Sequence, residues 1–104
     1  MAYKGEDIPI VITGDDNTNL DDLDFKILIY PHDDIDNYIV LGKTDMKAGG
    51  ANTYTGQIPH SETKDMPIGY YTIEVLSIGD DKRRIFKKEG AFTLYDSASK
   101  NVVG

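Results

Sequence analysis

Cysteine and tryptophan are both absent from the 104-residue chain. Without a thiol there is no disulfide framework, no thiolate zinc site and no cysteine nucleophile, so stability has to come from packing. Long apolar runs are missing as well. The apolar stretch near the N-terminus, IPIVI, is too short for a signal-peptide core or a membrane span, which implies a chain made in the cytosol with no membrane partner. No stretch carries a helical period longer than a single turn. Only two histidines are present, His32 and His60, each beside a proline, and neither lies in a nucleophile motif such as G-x-S-x-G. Phosphate-binding glycine loops are absent. The composition therefore argues against an enzyme and implies no cofactor.

What the chain does contain is short blocks of Ile, Val, Leu, Tyr and Phe separated by Gly, Asp and Asn. IPIVIT (8 to 13) puts Ile8, Ile10 and Ile12 on one side, and Pro9 marks it as an edge strand or strand start. DFKILIY (24 to 30) sets Phe25, Ile27 and Ile29 on one face and reads as a central strand closed by Pro31. NYIVLG (37 to 42) alternates Tyr38 and Val40 with Ile39 and Leu41. NTYTGQIP (52 to 59) follows a Gly-Gly turn, with Tyr54 and Ile58 on one side. GYYTIEV leads to a turn at GDD (79 to 81), and RRIFKK and AFTLYD close the chain on either side of Gly90. SETKDM (61 to 66) is the one candidate helical turn, with Ser61 or Thr63 as N-cap.

About seven short alternating strands in a chain of this size predict an all-β fold, an immunoglobulin-like antiparallel β-sandwich. One domain over residues 1–96 is expected, with 97–104 as a C-terminal tail, and a core built on Phe25, Ile27, Ile29, Ile73, Val75 and Phe92. Tyr70 and Tyr71 sharpen the picture, because neighbours on a strand point to opposite faces. Gly69-x-Tyr71 at the entry to a late strand matches a tyrosine corner, in which the ring fills the core edge and its hydroxyl bonds an upstream backbone group. Gly69 and Tyr71 are then structural, and Tyr70 is free for the other face.

Charge is uneven. Residues 1 to 46 hold eleven acids and three lysines, and residues 47 to 104 hold seven acids and eight bases, giving −8 and +1 and the net −7. The loop GDDNTNLDDLD (14 to 24) opens like a calcium loop with Asp15, Asn17 and Asn19. Leu20 then stands where the turn needs glycine, and Lys26 where the bidentate glutamate should be, so no metal is expected. His32 among Asp33, Asp34 and Asp36 reads as a solvated turn. The basic run KRRIFKK contributes Lys82, Arg83, Arg84, Lys87 and Lys88, which together with Tyr70 form a candidate interface for an acidic surface on a partner or another copy. With charge on both faces of that strand and −7 overall, nucleic acid is not the expected partner.

The order of YKGEDIPIVI, DFKILIY, NTYTGQIP, TKDMPIGYYTIEV and AFTLYD, over residues 3 to 96, resembles the N-terminal immunoglobulin-like domain of phage baseplate upper proteins and related phage and prophage tail-associated proteins. The resemblance implies a virion structural protein, assembled in the bacterial host cytoplasm, that joins other virion subunits or itself and carries no catalytic or metal residues. Because this sequence stops at residue 104, a receptor-binding portion would belong to another polypeptide or lie outside it. Two further readings of the residues stand beside this one. A carbohydrate-binding or adhesin module would use exposed tyrosines, and a small acidic DNA mimic would use the charge of residues 1 to 46.

Overall fold

The computed structural model describes residues 2–15, 19–78 and 84–102, with the side chains of the last segment described from 86 onward. Among the described residues, eight strands form two sheets packed face to face: β1 (Ala2–Tyr3), β2 (Ile8–Thr13), β3 (Asp24–Pro31), β4 (Ile39–Gly42), β5 (Lys47–Gly50), β6 (Thr53–Ile58), β7 (Gly69–Ile78) and β8 (Arg84–Tyr95). One sheet runs β1-β8-β7-β3-β4 and the other β2-β6-β5. The chain is an all-β sandwich. Every pairing is antiparallel except that of β1 with β8, where Ala2 and Tyr3 lie beside Leu94 and Tyr95.

Strand alternation explains the core. Phe25, Ile27 and Ile29 of β3 are fully buried, and their register partners on β7 include Val75 and Ile73 on the same face. Ile8, Ile10 and Ile12 of β2 and Tyr54 and Ile58 of β6 supply the facing layer. Phe25 and Tyr54 meet across the sandwich edge to face, with ring centroids 5.4 Å apart. Ile73 and Phe92, expected at the centre, are only partly buried and pack against the core from its side.

Several boundaries differ from the sequence reading. The Gly-Gly pair does not turn: Gly49 and Gly50 belong to β5, and the reversal falls at Ala51 and Asn52, with Asn52 at φ 54°. RRIFKK and AFTLYD are not two strands, because β8 runs through Gly90 and absorbs the mismatch in register shifts against β7. The helical turn α1 lies at His60–Thr63, one residue earlier than SETKDM, and neither Ser61 nor Thr63 caps it. Asp7 does so from a distance, accepting the His60 N–H at 2.7 Å. The GDD turn at 79–81 lies outside the described residues.

Residues 97 to 101, expected as part of a tail, are built into the domain. Ala98–Asn101 forms a 3-10 turn whose Ser99 hydroxyl donates to Lys4 O at 2.9 Å. Gly5 allows this approach: it sits at φ +85°, and a Cβ there would stand 2.6 Å from the backbone nitrogen of Lys100. Thr63, fully buried, ties α1 to the same corner. Its Oγ1 accepts from Gly5 N at 3.0 Å and donates to Glu6 O at 2.8 Å.

Candidate functional site

The paired tyrosines divide their work by strand parity. Tyr71 pairs with Phe92 and turns inward, where it is 1% exposed and its ring lies parallel to that of Phe92 with centroids 5.0 Å apart. Its hydroxyl donates to Pro67 O at 2.6 Å, a contact four residues upstream that closes the turn entering β7. Burial pushes the Tyr71 phenol up to about 12. Gly69, at φ +129°, holds a backbone conformation that a side chain would strain. Tyr70, opposite Thr93, faces the other way and is 66% exposed.

Register extends this outward row across the five-stranded sheet. Lys26, Leu28 and Tyr30 on β3 stand beside Leu76, Glu74 and Thr72 on β7, and Leu28 also stands beside Val40 on β4. Tyr3 and Tyr95, next to the core-facing pair Ala2 and Leu94, fall on the outer side with ring centroids 5.7 Å apart. The loop between β3 and β4 folds Ile35 and Tyr38 toward Leu28 and Tyr30, enclosing with Glu74 and Lys87 a depression of about 410 Å³. Of seven tyrosines, Tyr54 and Tyr71 point into the sandwich, and the other five, Tyr3, Tyr30, Tyr38, Tyr70 and Tyr95, share this outer face. Ile35, Tyr38 and Val40 are exposed there and acids surround them: Asp33, Asp34 and Asp36 on the loop and Glu74 on the sheet.

Lys87 and Lys88, the lysines of the basic run among the described residues, divide between the two faces. Lys82 and Arg83 lie outside the described residues, and Arg84 is placed by its backbone alone, opposite Leu76. Lys87 faces outward opposite Glu74 and lies 3.5 Å from the carboxylate of Glu89. Lys88 pairs with Ile73 and so takes the opposite face. Of the expected interface residues, Tyr70 and Lys87 share a side, and the lysine already has acidic neighbours.

The acidic loop is organised by residues that the sequence reading passed over. The Lys43 ammonium, at the end of β4, donates to the carbonyls of Leu20 (3.0 Å), Asp21 (3.1 Å) and Leu23 (2.5 Å). It also stands 5.7 Å and 5.5 Å from the ring centroids of Phe25 and Tyr54. A protein cation thus gathers three backbone carbonyls of the loop. The Tyr54 hydroxyl donates to Asp21 at 2.7 Å, and that bond holds its phenol above the usual range. Asn52 takes the Leu20 N–H at 2.7 Å and donates to Asp15 O at 3.3 Å. Asn19 caps Asp21 N, and Asn17 of the calcium-like pattern lies outside the described residues.

Neither histidine joins a larger constellation: His60 Nδ1 lies 3.1 Å from Asp7 Oδ1, and His32 is exposed in its turn. Among the described residues no three His, Asp or Glu side chains converge as a metal site, and no helix is long and apolar enough to cross a membrane. No family model and no curated protein sequence matches the chain.

Proposed function

We propose that the chain is a non-enzymatic assembly module, a phage virion structural protein of the tail or baseplate that joins neighbouring subunits. The observation that carries this reading is the outer face of the five-stranded sheet, where the exposed Tyr38, Tyr70 and Tyr95 with Ile35 and Val40 form an aromatic and aliphatic surface beside acids, and Tyr30 lies buried on the same side. Tyrosine supplies large contact area at low entropy cost, and such residues are enriched in the buried centres of protein interfaces. The acidic rim calls for a partner with Lys or Arg around an apolar centre. We further read the sandwich as immunoglobulin-type. The strand order, the parallel β1 on β8 and the Tyr71 hydroxyl bond at the entry to β7 support that topology.

The test is incorporation into particles. In the bacterium that encodes the chain, purified tails are expected to contain it. Tyr38→Ser with Val40→Ser, both at exposed positions, should lower its amount in particles at least tenfold while leaving urea stability within about 0.5 kcal/mol of wild type. Particles that never contain the wild-type chain would overturn the proposal. A second reading, a carbohydrate-binding or adhesin module, is favoured by the exposed rings of Tyr38, Tyr70 and Tyr95, on which sugars stack. Glycan-array binding lost in the tyrosine variants, with no particle association, would select it.

A further inference from the structure

At one end of the sandwich two loops leave a cleft of about 380 Å³ that meets the tyrosine face at Tyr70. One wall is the turn after β3, with His32, Asp33 and Asp34, and the other is the corner entering β7, with Pro67, Ile68 and Tyr70. The pairing of β3 with β7 carries one residue past Pro31, since His32 N–H donates to Tyr70 O at 2.9 Å, and this bond sets the spacing of the walls. Each wall is also tied internally. Asp34 N–H donates to Pro31 O at 3.0 Å in the turn, and the Tyr71 hydroxyl on Pro67 O, with Gly69 at φ +129°, closes the corner. That tight corner leaves Ile68 62% and Tyr70 66% exposed, so two large apolar side chains stand in solvent on a backbone already fixed in place.

We propose that this cleft seats an arginine from a loop of a partner protein, its guanidinium stacked on Tyr70 and held by Asp33 and Asp34, with an apolar neighbour of that arginine covering Ile68. Charge selects this occupant. Residues 31–38 carry Asp33, Asp34 and Asp36 with no lysine or arginine, and residues 59–70 carry Glu62 and Asp65 against Lys64, so the two loops together hold five acids and one lysine, or −4. Among the described residues no lysine or arginine lines the cleft, and neither Asp33 nor Asp34 is paired with a cation. Carboxylates only accept, so the guest has to donate. A guanidinium offers five N–H donors in one plane that suits both a carboxylate and a ring face, and its weak hydration lowers the cost of entering. An ammonium is a strongly hydrated point charge, and a neutral sugar leaves both carboxylates uncompensated. Pairing like ends of two copies sets acid against acid, which points to a foreign partner.

This inference takes from the joint reading only that the ligand belongs to a protein, and its test needs no particle. The peptide acetyl-Gly-Leu-Arg-Leu-Gly-amide, with its lysine and citrulline counterparts, is titrated into the full chain while backbone amide resonances are followed. The arginine peptide is expected to shift His32, Asp33, Asp34, Ile68 and Tyr70 along one saturating curve. Citrulline has nearly the same shape without the charge and should bind about tenfold more weakly, the equivalent of one charge-assisted hydrogen bond. The lysine form should fall between them. Asp33→Asn with Asp34→Asn should also weaken the arginine peptide about tenfold, whereas Tyr38→Ser with Val40→Ser, outside the cleft, should bind it as wild type does. The comparison of peptides needs no variant to fold. No saturable shift at millimolar peptide, or equal affinity for the citrulline or lysine form, would overturn the arginine seat. Shifts caused by methyl glucoside and not by the arginine peptide would assign the cleft to a sugar and overturn it as well. Shifts that grow with protein concentration alone, and vanish in Arg83→Glu with Arg84→Glu, would assign it to a second copy and overturn the foreign partner. Peptide binding by a chain that never enters particles would leave this seat standing and remove the joint, so the two proposals fail separately.

Discussion

Replacing Lys43 by methionine keeps the unbranched stem and deletes the ammonium, which isolates what that charge does. The ammonium donates to three carbonyls, two of which, those of Leu20 and Leu23, lie in partly buried surroundings, while the contact to Asp21 O is exposed. A hydrogen bond to a charged group contributes about 1.5–3 kcal/mol. Counting the two partly buried bonds at the low end, and letting water replace the exposed one, gives a loss of about 3 kcal/mol. The two ring contacts add about 0.5 kcal/mol, and freeing the lysine rotamers returns up to about 2 kcal/mol, so the net expectation is about 1.5–3.5 kcal/mol. In urea unfolding, with a slope of about 1–3 kcal/mol per molar for a small domain, the midpoint should fall by about 0.5 M or more at unchanged slope.

A matched control sits in the same molecule. Lys100 pairs with Asp96 in an exposed contact, and its removal should cost no more than about 1 kcal/mol. Lys43→Arg should recover only part of the loss, because a planar guanidinium cannot converge its donors on three carbonyls as a point charge does. If Lys43→Met destabilises no more than Lys100→Met, the ammonium is not holding the acidic loop and the argument is wrong. Calorimetry supplies a second check. Wild type should give no stoichiometric calcium heat, since Leu20 and Lys26 stand where a calcium loop needs glycine and a bidentate glutamate.

The tyrosine pair gives a paired measurement: Tyr71→Phe should cost about 1 kcal/mol or somewhat more by leaving Pro67 O without its donor, whereas Tyr70→Phe should change stability by less than about 0.5 kcal/mol. Equal losses in urea would refute the division of labour. Because burial raises the Tyr71 phenol to about 12 from an ordinary 10.0, its contribution is complete below pH 10. Above that the unfolded chain releases the proton first, so stability should fall as pH climbs from 10 toward 12, and Tyr71→Phe should flatten that part of the profile. Thr63→Val, which keeps the shape and deletes the hydroxyl, should cost about 1–3 kcal/mol by stranding Gly5 N–H and Glu6 O, measured by the same urea unfolding. A neutral result there would mean that water reaches the corner.

Where structure depends on the alternation of one strand, it is legible in the sequence alone. Ile8, Ile10 and Ile12, or Phe25, Ile27 and Ile29, declare their buried side because period two leaves no other arrangement, and the same parity separates Tyr70 from Tyr71. What stayed hidden depends on contacts between distant segments. Strand β5, Lys-Ala-Gly-Gly, is exposed throughout and has no apolar pattern; pairing with β6 alone makes it a strand. β1 is two residues whose partner lies more than ninety positions away. β8 looked like two strands because Gly90 is a turn signal locally, yet β7 templates the chain on both sides of it. Lys43 offered no motif, since its partners are backbone carbonyls about twenty residues upstream. Asn52 carried a faint signal, being the non-glycine residue best suited to positive φ in its turn. The outer tyrosine face needed strand order as well as parity, because Tyr3 and Tyr95 come from opposite ends of the chain.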